Sequence, residues 1–336
     1  MSNDARSKPV AAPQPATAGP APAGRGPNIL FISTDQQRWD CIGANGNELI
    51  VTPNIDRLAR EGCNFTHLFG QNPVCMPSRA CFWTGRYPSH HGVQSNGAPL
   101  PQDEITLAHV LRDAGYRTGI FGKLHFQCHF TRDYDDPDWH PAYGFDERQI
   151  ADQPGAYHDV YRRWVHARAP EWVEACSVAR PWQPAPKDLT PFEAPEELHH
   201  SAWVATRTID AIDKAARADS PWFIAAGFFH PHPQLVVPQR CLDLYDPTLL
   251  PEARRRAGEH DDKPAGYTPD YALAKGERAT DAYIRKFRHY YYAACSFIDD
   301  QVGRIIKHLE QLGELDNTII IFWSDHGEAA GDHGRF

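Results

Sequence analysis

The sequence predicts an α/β fold in which a mostly parallel sheet carries helices on both faces. Two observations predict it. Short, unbroken apolar runs of strand length alternate with segments of helical periodicity, as a parallel sheet and its crossover helices do along a chain. Polar residues collect just after several of those runs, and ligands in open α/β sheets bind beyond the carboxyl ends of the strands.

The elements follow in order. Residues 1–26 are rich in Ala and Pro and lack the apolar stretch of a secretory signal, so a disordered tail is expected there. Asn28-Ile-Leu-Phe-Ile-Ser-Thr34 is a strand-length apolar run ending at Asp35. Residues 52–61 read as a short helix with Thr52 as N-cap, Pro53 in the first turn and Gly62 as the stop. Asp103 to Asp113 reads as an amphipathic helix with Ile105, Leu107, Val110 and Leu111 apolar, closed by Gly115. Arg117-Thr-Gly-Ile-Phe121 is the next strand, and residues 126–195 then lose periodicity, as a substrate-side insertion or lid would. Helix is expected over His199–Ala218, a buried strand over Trp222–Phe229, a long helix over Ala282–Leu312 ending at Gly313, and a strand over Thr318–Trp323. Four polar clusters therefore follow four strands: Asp35, Lys123, His230 with His232, and Asp325.

Composition narrows the function classes. The chain has 336 residues, 41% hydrophobic and 23% charged, and a formal net charge of −9 without a basic run. That argues against a nucleic-acid partner. No apolar stretch approaches the roughly 20 residues that span a bilayer, so no membrane partner is expected. Eight cysteines (41, 63, 75, 81, 128, 176, 241, 295) are scattered without CxxC pairs, which reads as free thiols in a reducing compartment and predicts a cytoplasmic location.

The strongest local signal is Cys75-Met-Pro-Ser-Arg79 followed by Thr84-Gly-Arg86. This resembles the signature of the formylglycine-dependent sulfatases of the alkaline phosphatase superfamily. The resemblance implies that residues 27–336 form a catalytic domain with an alkaline phosphatase-like sheet between helices. It also implies that a maturation enzyme oxidises Cys75 to Cα-formylglycine, whose hydrate attacks a sulfate ester with one hydroxyl. Loss of a proton from the second hydroxyl then expels sulfate and restores the aldehyde, so one hard hydrolysis becomes two easier steps.

By the same resemblance a divalent cation, Ca²⁺ in most of the family, is held by Asp35, Gln36, the residue at Cys75, Asp325 and His326. Two ligands depart from the family pattern. Gln36 stands where a second carboxylate is usual and keeps a carbonyl oxygen. His326 brings nitrogen where Asn would bring oxygen, which shifts preference toward Mn²⁺ or Zn²⁺. Lys123 and His125 match the family's Lys-x-His pair. If the segment is extended both face one pocket, Lys123 neutralising a sulfate oxygen and His125 acting as base. Arg79, one helical turn after Cys75, resembles the arginine that fixes the nucleophile. His232, in Phe229-His-Pro-His-Pro, would touch the sulfate and protonate the leaving alcohol.

The family's Asp-His-Gly-Glu…Gly-Asp-His-Gly run is soon followed by a Gly-Lys, whereas this sequence stops at Phe336. The expectation is an incomplete catalytic domain that lacks a leaving-group lysine, later strands and a C-terminal subdomain, with an open edge strand and exposed apolar surface. Three functions stay open at this stage: hydrolysis of a small-molecule or carbohydrate sulfate ester, hydrolysis of a phosphonate monoester or phosphodiester, and an inactive remnant that binds anions. Relatives with the second activity favour Asp-Gln and Asp-His metal pairs like those here, and the Lys-x-His pair favours the first. Trp139, Tyr143, Tyr157, Trp164 and Trp182 could stack on a substrate ring. The histidines at 67, 90, 91, 199, 200 and 289 are expected at the surface or at helix caps, and those at 129, 140, 158 and 166 lie in the irregular segment.

Overall fold

The computed structural model describes residues 26–127, 140–155, 159–177, 189–264 and 280–336. The expected tail falls outside these except for Gly26. Cys128, His129, Trp139, Tyr157, His158 and Trp182 also lie outside the described residues.

Among the described residues, five strands form one fully parallel sheet. In chain order they are β1 (Asn28–Thr34), β2 (Arg117–Gly122), β3 (Glu147–Ile150), β5 (Trp222–Gly227) and β7 (Thr318–Ser324), and their order across the sheet is β3-β2-β5-β1-β7. β1 and β5 are central and buried on both sides, which is why their sequences are continuous apolar runs instead of alternating ones. A separate two-stranded sheet pairs β4 (Leu189–Pro191) with β6 (Leu235–Val237).

The pleat sends alternate side chains to two cores. Leu30 and Ile32 of β1 join Ile224 and Ala226 of β5 in one core. That core is covered by α1 (Pro53–Glu61), α5 (Val160–Arg168), α6 (His200–Ala216) and α8 (Asp281–Leu312). Phe31, Phe223 and Ala225 point the other way, against Met76, Ala80 and Trp83 of α2 (Cys75–Thr84) and Ala108 of α4 (Leu107–Asp113). The helices α3 (Pro88–His91) and α7 (Gln239–Leu242) are short. Helices on both faces of a parallel sheet are as predicted, and the expected strands and the helices at 53–61, 200–216 and 281–312 lie where the sequence put them.

Two expectations change. The helix expected from Asp103 begins at Leu107, because Thr106 closes a capping box with His109 and ends the extended backbone there. Ile105 and Val110, counted as its apolar face, are exposed. The segment 126–195 is not wholly irregular, since it contributes β3 to the main sheet and α5 to a core. β3 is a short edge strand with only Ile150 buried, so neither length nor alternation marks it. Within this segment Tyr143 is buried and hydrogen-bonds Leu100 O, while Trp164 packs on the core, which makes both packing residues.

The other edge of the sheet is β7, whose Ile319 and Ile321 are partly exposed. An apolar groove of about 960 Å³ runs beside it, lined in part by Phe65, Leu68 and Phe69. No helix of the described residues is long and apolar enough to cross a membrane.

Candidate active site and metal centre

The carboxyl ends of β1, β2, β5 and β7 converge on one point, and the N-terminus of α2 is aimed at it. Asp35 follows β1 directly, Asp325 follows β7, and their backbones are tied by the hydrogen bond from Asp325 N to Thr34 O. Lys123 is delivered by the close approach of β2 and β5. Its N–H donates to Gly227 O at 2.7 Å, and a Cβ on either Gly122 or Gly227 would overlap backbone across the junction. Cys75 is the first residue of α2 and Arg79 lies one turn on, both buried. The expectation that these two share a helix face therefore holds.

The distances define a compact centre. Cys75 Sγ lies 3.7 Å from Asp35 Oδ1 and 3.2 Å from His326 Nε2. His326 Nε2 is 3.8 Å from Oδ1 of both Asp35 and Asp325. Cations hold the second oxygen of each carboxylate: Arg79 Nε donates to Asp325 Oδ2 at 2.8 Å, while Lys123 Nζ pairs with Asp35 Oδ2. Arg79 also reaches Asp35 Oδ2 at 3.6 Å. Two carboxylates are thus oriented from behind, with an oxygen of each beside His326. The charges of Asp35 and Cys75 act on His232, and Lys123 lies over the Phe229 ring, so the segment after β5 closes one side.

The electrostatics follow from this packing. Burial alone would raise Asp35, but Lys123, His232, Arg79 and His326 outweigh it and hold the carboxyl well below its usual range. Burial and the Asp35 charge would raise the Cys75 thiol, yet Lys123 and the neighbouring His232 and His326 imidazoles bring it below an ordinary cysteine. His326 behaves in the opposite sense. Burial would lower it, but Asp325, Cys75 and Asp35 push it up to about 10. This donor set attracts positive charge.

That behaviour, with the donor chemistry, is the test of a metal. Asp35, Cys75, Asp325 and His326 each offer one atom, and these atoms all lie within 4.8 Å of one another. Two carboxylate oxygens and an imidazole suit a divalent cation that accepts oxygen with some nitrogen. The residues fit such an ion. Gln36, the fifth predicted ligand, is adjacent. Its N–H donates to Asp325 Oδ1 at 2.9 Å and its side-chain amide donates to Glu328 Oε2.

His125 sits differently from the expectation. Residues 123–126 are not a strand, and His125 has φ 58°, so the argument that alternate residues of an extended segment share a face does not apply. Its backbone N–H and that of Leu124 both donate to Asp152 Oδ1, at 2.9 and 2.8 Å. Its ring is buried, while His326 Nε2 lies 3.2 Å from the Cys75 thiol. His230 belongs elsewhere, as its ring packs 5.0 Å from that of His199 and its Nδ1 meets Ser201 Oγ at 3.4 Å.

Sequence reasoning gave no role to Asp152, Glu328 or Tyr291, whose hydroxyl donates to Gln36 O. Glu328 closes the Asp325-His-Gly-Glu328 run. Asp152 lay in the aperiodic segment and Tyr291 inside a helix, and neither carried a signal.

The family model described as Sulfatase matches residues 27–335. An arylsulfatase of Clostridium perfringens is 32% identical over 326 residues, covering 92% of this chain and 65% of that protein. An N-acetylglucosamine-6-O-sulfatase of Bacteroides thetaiotaomicron is 30% identical, with 92% of this chain and 60% of that protein covered. Among solved structures, a phosphonate monoester hydrolase of Agrobacterium radiobacter superposes with a TM-score of 0.74 at 29% identity, over 91% of this chain and 64% of that one. The chain spans about three fifths to two thirds of the length of these relatives. With the sheet order, the buried Cys75-x-Pro-Ser-Arg79 helix and the carboxylate pair beside it, the match places this chain in the sulfatase family of the alkaline phosphatase superfamily.

Proposed function

We propose that this chain carries the nucleophile and cation centre of a sulfuric ester hydrolase, with the residue at position 75 as the attacking group after its conversion to formylglycine. The observation that carries the reading is the position of Cys75 Sγ, 3.7 Å from Asp35 Oδ1 and 3.2 Å from His326 Nε2 at the head of a buried helix. A bound cation would be held by Asp35, Gln36, Asp325, His326 and residue 75, and would polarise the ester oxygen and favour ionisation of the nucleophile. Ca²⁺ is the ion we propose, with Mn²⁺ or Zn²⁺ as the alternatives that the His326 nitrogen supports.

The other residues divide the work. Arg79 holds Asp325 and Asp35 in place, and Lys123 places a fixed positive charge beside the nucleophile, where the ester's negative oxygens would bind. His232, raised above an ordinary imidazole by Asp35 and Cys75 against the effect of burial, is placed to hold a proton for the leaving alcohol. The role of base proposed for His125 rests on the family pattern Lys-x-His.

The substrate we propose is a small-molecule or carbohydrate sulfate monoester, as the names of the curated relatives support. A second reading, hydrolysis of a phosphonate monoester, is favoured by Gln36 and His326 and by the similarity to the Agrobacterium enzyme. One experiment serves both. The chain is coexpressed with a formylglycine-generating enzyme, the peptide containing Cys75 is examined by mass spectrometry, and turnover of phenyl sulfate and phenyl phosphonate esters is compared. An aldehyde at position 75 with faster sulfate turnover, lost in Cys75→Ala, is expected. Faster phosphonate turnover would transfer the assignment to the second reading, and an unmodified thiol with no turnover would leave an anion-binding remnant.

A further inference from the structure

Gln36 is held at three points. Its backbone N–H donates to Asp325 Oδ1, its carbonyl accepts from the Tyr291 hydroxyl, and its side-chain nitrogen donates to Glu328 Oε2. The backbone takes φ 66°, a left-handed conformation that a non-glycine residue keeps only when its surroundings fix it. Glu328 is fixed as well. It is buried, its Oε1 accepts from Ala330 N at 3.0 Å, and its carbonyl accepts from Arg38 Nη1 at 2.9 Å. Arg38 is itself clamped between Asp40 and Asp332.

An amide has two unlike ends, and a carboxylate can only accept. The end of Gln36 that meets Glu328 must therefore be the NH₂ group, because the reversed amide would set oxygen against carboxylate oxygen. We propose that Glu328 is a positioning residue that fixes the flip of the Gln36 amide, turning Oε1 toward the cation centre and polarising it as a ligand. This rests on the cation site proposed above and extends it. It explains how a neutral amide serves where a carboxylate is usual. A carboxylate offers an oxygen in either orientation, whereas an amide offers one only if something selects the orientation. Partners of this kind, behind a ligand, typically contribute 10- to 100-fold in metal affinity.

A double-mutant cycle on cation affinity tests the assignment, read by calorimetric titration of Ca²⁺, with Mn²⁺ as second probe, into the unmodified chain. Glu328→Gln keeps an oxygen for Ala330 N but can also donate, so it no longer selects the flip. It is expected to weaken binding by about 10-fold or more. With Gln36→Ala as background the same change should alter affinity less than about twofold, because the group being oriented is gone. An equal loss in both backgrounds would show that Glu328 acts through its loop alone and would overturn the proposal, as would no loss in either. Failure of the unaltered chain to bind either ion would remove the cation site itself, a result distinct from binding without coupling. Unfolding midpoints in chelator detect any variant whose fold is disturbed.

Discussion

His230 and His232 stand two residues apart in one loop, and the protein treats them in opposite ways. His232 faces Asp35 and the Cys75 thiol, which overcome the cost of burial and raise its pKa. His230 faces His199, His200 and Ser201, and burial together with those imidazoles lowers it well below an ordinary histidine. Carboxylates show the same contrast. Asp35, among Lys123, Arg79, His232 and His326, is held well below its usual range, whereas Asp159, buried near Asp152, is pushed up to about 7. Residue type is shared within each pair, and both carboxylates are fully buried, while His232 is somewhat more open than His230. The difference is the sign of the nearest charges, which the fold sets.

The largest effect should come from separating the two histidines by substitution. His232→Ala is expected to lower kcat by about 10²- to 10⁴-fold, the range for loss of a general acid or base. His230→Gln should leave kcat within about 10-fold, because the fold and not the chemistry uses that ring. Steady-state rates on a sulfate ester, with the chain coexpressed with a formylglycine-generating enzyme, decide it. Equal losses in both variants would break the contrast. The removal of a paired cation comes next. Arg79→Met leaves Asp35 and Asp325 buried with one cation fewer, and breaking such a pair typically costs about 3–5 kcal/mol. Urea unfolding should show the loss, and it should shrink when Asp325→Asn is added to the same chain.

The neutral side of the contrast predicts a pH dependence. Burial depresses His199 to about 4 and His200 to about 3 from an ordinary 6.5. Between those values the unfolded chain binds more protons than the folded one, so their contribution is complete above pH 6.5 and is lost as pH falls. His200→Gln, which can keep a donor for Ala151 O, should flatten the fall in stability between pH 6.5 and pH 4 by on the order of 1–3 kcal/mol. An unchanged slope in urea midpoints across that window would refute neutral burial of His200.

How much of this was legible beforehand follows from what leaves a periodic trace. The central strands β1 and β5 were readable because burial on both faces makes a continuous apolar run, and α8 because 32 residues keep one face toward the core. β3, α5 and the β4–β6 pair were not, since short edge elements bury too little to impose a pattern. Asp35, Cys75, Arg79, Lys123, Asp325 and His326 were named from their motifs, and the strand ends bring them together. The Gln36–Glu328 contact joins residues 292 apart in sequence, and His125 leaves the extended path because of one left-handed dihedral angle. Neither leaves a mark in spacing. His199 does cap α6, as expected of some histidines, but it is buried while doing so.

Asp159 isolates the carboxylate half of the comparison. Asp159 caps α5 by accepting from Arg162 N at 2.8 Å, and its Oδ2 has no hydrogen-bond partner among the described residues. Burial first, then the Asp152 charge, raises its pKa to about 7 from an unfolded value near 3.8. Between those values the folded chain binds the extra proton, so the contribution is present at acid pH and lost as pH rises through 7. Asn is as good an N-cap as Asp and carries no charge. Asp159→Asn should therefore gain on the parent by on the order of 1–3 kcal/mol between pH 5 and pH 8, seen as a urea midpoint that rises relative to the parent toward pH 8. The corresponding change at Asp35 should destabilise at pH 8, because there the charge is the partner of Lys123. If both variants moved the midpoint in the same direction, the sign of the neighbouring charges would not be what distinguishes the two sites.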